Sequence, residues 1–156
     1  IVQQIDDPIT LYDHPQNRFV AGFIGSPPMN FMEGQLVTEN GVLIFDEGRI
    51  RLPVPPPMRA ALEAAGTQRV IFGIRPEDIY DPEFTTGKGE LIEIESRVEI
   101  LEPMGAEIYL YMTTGAHAFV ARVDAHVRAD VDQVKKLFVN MAKCHFFHPE
   151  TERTIV

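Results

Sequence analysis

Asn40-Gly41, in GQLVTENGVLIF, separates two runs rich in β-branched and aromatic residues. No short-range pattern predicts a two-residue hairpin more strongly, because both turn positions need the left-handed backbone that Asn and Gly tolerate. Similar punctuation recurs along the chain. DEG (46–48) predicts a second turn and RIRLPV a third strand, which VPPPM ends because proline cannot donate to a ladder. MRAALEAAG (58–66) predicts one short helix stopped by glycine, and RVIFGI a strand stopped at Arg75-Pro76. DPEFTTGKGE is a polar loop. In ELIEIESRVEILEP, Ile92, Ile94, Ser96 and Val98 alternate with Leu91, Glu93, Glu95 and Arg97. Met104-Gly105 turns that strand into AEIYLYM, and TTGA turns again into HAFVARVDAHV, with Phe119, Ala121, Val123, Ala125 and Val127 on one side. VKKLFV follows, then a turn near Asn140 and CHFFHPETERTIV. Eight or nine short strands at this spacing predict a small β-barrel or sandwich, with VPPPMRAALEAAG dividing it into two barrel-like halves.

Residues 1–27 have another texture. Asp7 is a cap with Pro8 at the first helical position, and His14-Pro15 ends that helix. Asn17 caps a second helix, stopped by Gly25, that sets Phe19, Val20, Phe23 and Ile24 on one face. Two such short helices are marginal alone, so they must lean on a larger body.

Bulk properties narrow the function. The 156 residues suffice for one domain with a sizeable core, or one domain with a piece of another. The formal net charge of −9 disfavours nucleic acid and anionic membrane surfaces, which reward basic proteins. The one cysteine, Cys144, excludes an internal disulfide and fits a reducing compartment. A start at Ile1 without methionine is how a processed or excised piece begins.

Catalytic motifs are missing. There is no phosphate loop (GKGE at 87–90 lacks the spacing and the hydroxyl), no G-x-S-x-G, no H-E-x-x-H and no paired C-x-x-C. CHFFH reads as a strand end with incidental histidines, since Cys144 and His148 alternate away from His145. Asp124, Asp130 and Asp132, interleaved with His126 and Arg128, read as a solvated strand face. In GIRPED, Arg75 and Glu77 flank a rigid proline; a salt-bridged turn is the simpler reading, and a docking or packing element the functional one.

DPITLYDHPQNRFVAGFIGSPPMNF, FGIRPEDI, ILEPMGAE and HFFHPETERTI together resemble, in order and spacing, the C-terminal portion of ATP-binding subunits of bacterial sugar importers, the maltose and glycerol-3-phosphate class of ABC transporters. The resemblance implies that residues 1–27 are the closing helices of an ATPase domain. Residues 28–156 would then form a regulatory OB-like β-barrel of transport-associated (TOBE) type, making the chain mainly β. It further implies a homodimer, transmembrane permease partners reached through the ATPase domain, a protein regulator as a further partner, and a cytoplasmic place at the inner membrane face. ATP and magnesium would belong to a preceding domain, so these residues carry no cofactor, metal or catalytic site, although the intact subunit would be an ATPase. The motif and interface candidates are Gly73, Arg75, Pro76, Glu77, Gly105, Phe146, Phe147 and His148. His148 stands where the family pattern has Asp, which would alter any contact made there. Alternation also predicts that Phe146 or Phe147 turns outward to a two-fold contact.

Two rival readings come from other classes. Related OB-like barrels hold molybdate with backbone N–H and hydroxyl donors, but Ser26 and Ser96 are the only serines and the acidity opposes anions. An OB-type nucleic-acid module meets the same objection.

Overall fold

The computed structural model describes residues 1–85 and 90–156. Among these, two antiparallel five-stranded sheets face each other across one core. The first contains β1 (Asn30–Glu39), β2 (Val42–Asp46), β3 (Arg51–Pro53), β4 (Arg69–Ile74) and β10 (His145–Phe147), in the order β10-β4-β1-β2-β3. The second contains β5 (Ile79–Tyr80), β6 (Leu91–Met104), β7 (Glu107–Thr113), β8 (Ala118–Asp124) and β9 (Val134–Asn140), in the order β5-β9-β6-β7-β8. The Asn40-Gly41 hairpin forms as expected: both residues have positive φ, and Glu39 pairs with Val42. GKGE falls largely outside the described residues.

Period-two burial builds the core. Ile94, Ser96 and Val98 of β6, and Phe119, Ala121 and Val123 of β8, are buried while their neighbours are not. They meet Met32, Phe45, Leu52, Phe72 and Phe146 from the first sheet in one continuous cluster. Phe45, Phe72 and Phe146 pack with ring centroids 5.3–5.9 Å apart.

Side chains close the sandwich toward a barrel. Asn30 on β1 acts as a ladder rung to β8: its amide donates to the Val120 carbonyl and its carbonyl accepts the Val120 N–H, both at 2.8 Å. Beyond the end of β2, His117 Nε2 accepts the Glu33 N–H at 3.3 Å. His117 Nδ1 meets the buried Glu47 carboxylate at 2.7 Å, and the Thr114 hydroxyl donates to the same oxygen at 2.6 Å.

Three expectations need correction. The helix predicted over 58–66 is α3 (Pro56–Ala64), because Pro56 occupies a first-turn position where its missing N–H costs nothing. It does not divide the barrel. It packs Leu62 into the core and returns the chain so that β4 pairs with β1; the passage between sheets falls after β4, at Arg75–Asp78. Finally, β8 stops at Asp124, whose carboxylate accepts the His126 N–H at 2.8 Å and turns the chain, so Asp130, Asp132 and Arg128 are exposed on the irregular chain between β8 and β9 rather than on a strand face.

Candidate functional site

The two N-terminal helices, α1 (Pro8–Asp13) and α2 (Arg18–Phe23), begin at the expected caps: Asp7 accepts from the Ile9 and Thr10 N–H groups, and Asn17 from that of Val20. α2 lies against the first sheet, on the face away from the main core, and α1 packs on α2 and on Arg75. A second, smaller core of Ala21, Met29, Ile71 and Phe147 sits there, with Phe31 packed against it edge-on to Phe147 at 5.6 Å. The predicted face of α2 is therefore split. Val20 and Ala21 turn inward, whereas Phe19 and Phe23 stack on each other at 5.8 Å and are 61% and 73% exposed.

Arg75 fastens this layer. It leaves β4 at the Arg75-Pro76 step and runs under both helices, buried to 3% exposure. Its Nη1 donates to the carbonyls of Ile24 (2.6 Å) and Ala21 (3.4 Å), its Nη2 to that of Tyr12 (2.9 Å), and the guanidinium lies 3.9 Å over the Tyr12 ring. One cation thus satisfies carbonyls left unpaired at the ends of two helices, where its charge also suits the macrodipoles. Burial pushes the guanidinium below its usual pKa, and Asp78 and Asp13 oppose that shift. The neighbouring Glu77 carboxylate accepts a hydrogen bond from the Tyr12 hydroxyl. Pro76 is buried and opens a 3₁₀ turn. GIRPED is therefore a packing element, and the simpler salt-bridged turn is corrected: Arg75 spends its donors on helix carbonyls instead of on Glu77.

The other candidates distribute around this joint. Gly73 is required by close approach: a Cβ there would lie 2.7 Å from Met29 Sδ and 2.8 Å from the Phe147 ring. Phe146 and Phe147 are both fully buried, which overturns the expectation that one faces outward. Alternation holds, but both faces of β10 are covered: Phe146 enters the main core and Phe147 the small core beneath α2. His148 Nδ1 accepts from the Glu150 and Thr151 N–H groups at 3.2 and 3.4 Å, the turn-forming job an Asp carboxylate does at such a position. Gly105 sits apart, in the β6–β7 hairpin of the other sheet.

The chain's last residues complete the joint. The Arg18 N–H donates to the Glu152 carbonyl at 2.9 Å, and the Thr154 N–H to that of Gln16 at 2.9 Å. Tyr12, Asp78, His145 and these terminal contacts escaped sequence reasoning. Asp78 is pushed up to about 6 by burial and by Glu77, and His145 down to about 4 by burial and by Arg75. Burial also raises the Cys144 thiol to about 12, and its Sγ rests 3.7 Å from Met58 Sδ.

Residues 25–79, from the end of α2 through β4 and the Arg75 joint, match the MalK OB fold domain model. This segment is similar to that domain family. Over 99% of its length it is 41% identical to the trehalose/maltose import ATP-binding protein MalK of Thermococcus litoralis and 36% identical to the osmoprotective compounds uptake ATP-binding protein GgtA of Synechocystis. Over 97% it is 40% identical to the oligosaccharides import ATP-binding protein MsmX of Bacillus subtilis. It spans about two fifths of the length of these relatives, 42%, 42% and 41% respectively. Among solved structures, a crystal form of the cytoplasmic molybdate-binding protein ModG with molybdate bound is similar in fold, with a TM-score of 0.58 over 77% of this chain and 96% of that one, at 11% identity. Ser96, one of two candidate hydroxyl donors for such an anion, is buried inside the barrel. Among the described residues, no helix is long and apolar enough to cross a membrane.

Proposed function

We propose that this chain is the regulatory OB-type portion, with its supporting helices, of the ATP-binding subunit of a carbohydrate ABC importer. In that reading residues 1–27 belong to the ATPase domain and 28–156 to the regulatory barrel, which holds two subunits together at the cytoplasmic face of the membrane. A protein regulator would be a further partner. ATP and magnesium would be held elsewhere in the subunit, with the permease contacts. One observation carries the reading: the similarity to importer subunits runs unbroken through the helices, the Arg75 joint and the barrel.

A two-fold contact cannot use Phe146 or Phe147, so it draws on the exposed apolar residues of the second sheet: Ile100 on β6, Val134 opposite Arg97 at the start of β9, and Val131 in the turn that precedes β9. Sedimentation equilibrium tests this. The chain, and a variant carrying Phe19→Ser and Phe23→Ser, should both form dimers, while Ile100→Asp should be monomeric. A serine variant that stays monomeric would remove the dimerising role from the barrel.

A further inference from the structure

A cleft of about 460 Å³ opens between the end of α1, the Arg75 joint and the β9–β10 corner. Its polar wall carries two carboxylates, Asp13 and Asp78, and two cations, Arg75 and Lys143. Its apolar floor is formed by Met58 and Cys144. His145 reaches in from the first residue of β10. Among the described residues, the side chains of Asp13, Asp78 and Lys143 make no hydrogen bond or ion pair with other protein groups, whereas Arg75 is committed to helix carbonyls and the His145 ring hydrogen-bonds the Val156 backbone. Convergent, unspent polar groups over an apolar floor at a junction of elements are what a small-ligand site requires.

We infer that this cleft binds a small, uncharged polyhydroxy molecule, a polyol or saccharide, across the joint between the helices and the barrel. Charge selects the class. The two carboxylates balance the two cations, so neither an anion nor a cation gains net attraction. The groups offer acceptors (the carboxylates), donors (the Lys143 ammonium) and the one ring nitrogen of His145 not bonded to the Val156 backbone, on an imidazole that burial keeps neutral at physiological pH. A hydroxyl needs both an acceptor and a donor, and the Met58–Cys144 floor suits the C–H face of a ring. The site is independent of the dimer reading: a monomeric chain would bind equally well.

Calorimetric titration of the full chain with glycerol, maltose and trehalose tests the inference, with inorganic phosphate and putrescine as anionic and cationic probes. At least one neutral probe should saturate with a dissociation constant of about a millimolar or tighter, and neither charged probe should. Asp78→Asn and Lys143→Gln should each weaken that binding about tenfold, the loss expected when a hydrogen bond involving a charged group is removed. Lys143 is exposed on a 3₁₀ turn, so its variant keeps the fold even if the other does not. Silence from all three neutral probes up to about 50 mM overturns the site, since that excludes even weak binding. Saturation by phosphate or putrescine overturns the ligand class, and undiminished binding in Lys143→Gln overturns the location.

Discussion

Two pairs of phenylalanines meet opposite fates. Phe146 and Phe147 are adjacent on a strand and both fully buried; Phe19 and Phe23 lie a helical turn apart, stacked, and both exposed. Local periodicity predicts the reverse: one strand phenylalanine outward, and the helical pair against a core. The difference lies in what covers each surface. β10 is an end strand of a sheet clad on both sides, by the second sheet on one face and by α2 on the other. In α2 the residues that do the cladding are Val20 and Ala21, while the larger rings point away. A strand's second face is thus decided by chain more than a hundred residues distant, which alternation alone does not report.

The largest effects come from breaking the buried pair. Phe146→Ala and Phe147→Ala should each cost about 3–5 kcal/mol, the usual range for emptying a phenylalanine site. They should differ in reach. The first loosens the three-ring cluster that joins the sheets, and the second releases the helices from β4. Urea unfolding followed by near-UV and far-UV circular dichroism would separate them: Phe147→Ala should unfold in two stages and Phe146→Ala in one. Identical single transitions would show that the two cores are one.

Smaller effects come from the cleft, where two groups oppose each other. Asp78 has a folded pKa of about 6 against 3.8 ordinarily, so between those values the unfolded chain gives up a proton that the folded chain keeps, and stability is lost as pH rises through that window. His145 has a folded pKa of about 4 against 6.5, so the unfolded chain takes up a proton that the folded chain refuses, and stability is lost as pH falls through that window. Both groups are partly solvated, which cuts each effect to about 1 kcal/mol. Asp78→Asn should therefore be more stable than the parent near pH 8 and equal to it near about pH 3.5, and His145→Gln the converse; denaturant midpoints across that range would show it. Parallel pH curves for the parent and both variants would refute the burial of these groups.

The exposed pair should matter least for stability. Phe19→Ser with Phe23→Ser should shift the thermal midpoint by no more than the equivalent of about 0.5 kcal/mol, as surface changes usually do. It should also reduce concentration-dependent light scattering, because stacked rings in solvent form an adhesive patch. A strong destabilisation would place these rings in the small core instead.

Much of this was legible in the sequence. The Asp7 and Asn17 caps, the Asn40-Gly41 hairpin, the Gly105 turn and the alternation of β6 each depend on neighbours within a few positions, and each is where the pattern puts it. The site was less legible because its partners are remote. Arg75 reaches carbonyls 51 to 63 residues earlier in the chain, and Thr154 bonds the Pro15 carbonyl 139 residues away. GIRPED carried a local signal, the rigid proline, but nothing near it named the helix ends it holds. His148 reversed the usual relation: it departs from the pattern in chemistry yet keeps the turn by offering the same kind of acceptor.

The central claim is that Arg75 and the small core bind the helices to the barrel as one layered body. Amide hydrogen exchange in Arg75→Gln tests it most directly. In the parent, the Ile24 N–H, bonded to the Val20 carbonyl, and the Ala21 N–H, bonded to that of Asn17, should exchange slowly, alongside barrel amides such as Leu110. In the variant the two helical amides should exchange at least about tenfold faster, the consequence of losing about 1.4 kcal/mol or more of local protection, while Leu110 keeps its rate. Unchanged protection at Ile24 and Ala21 in the variant would contradict the account.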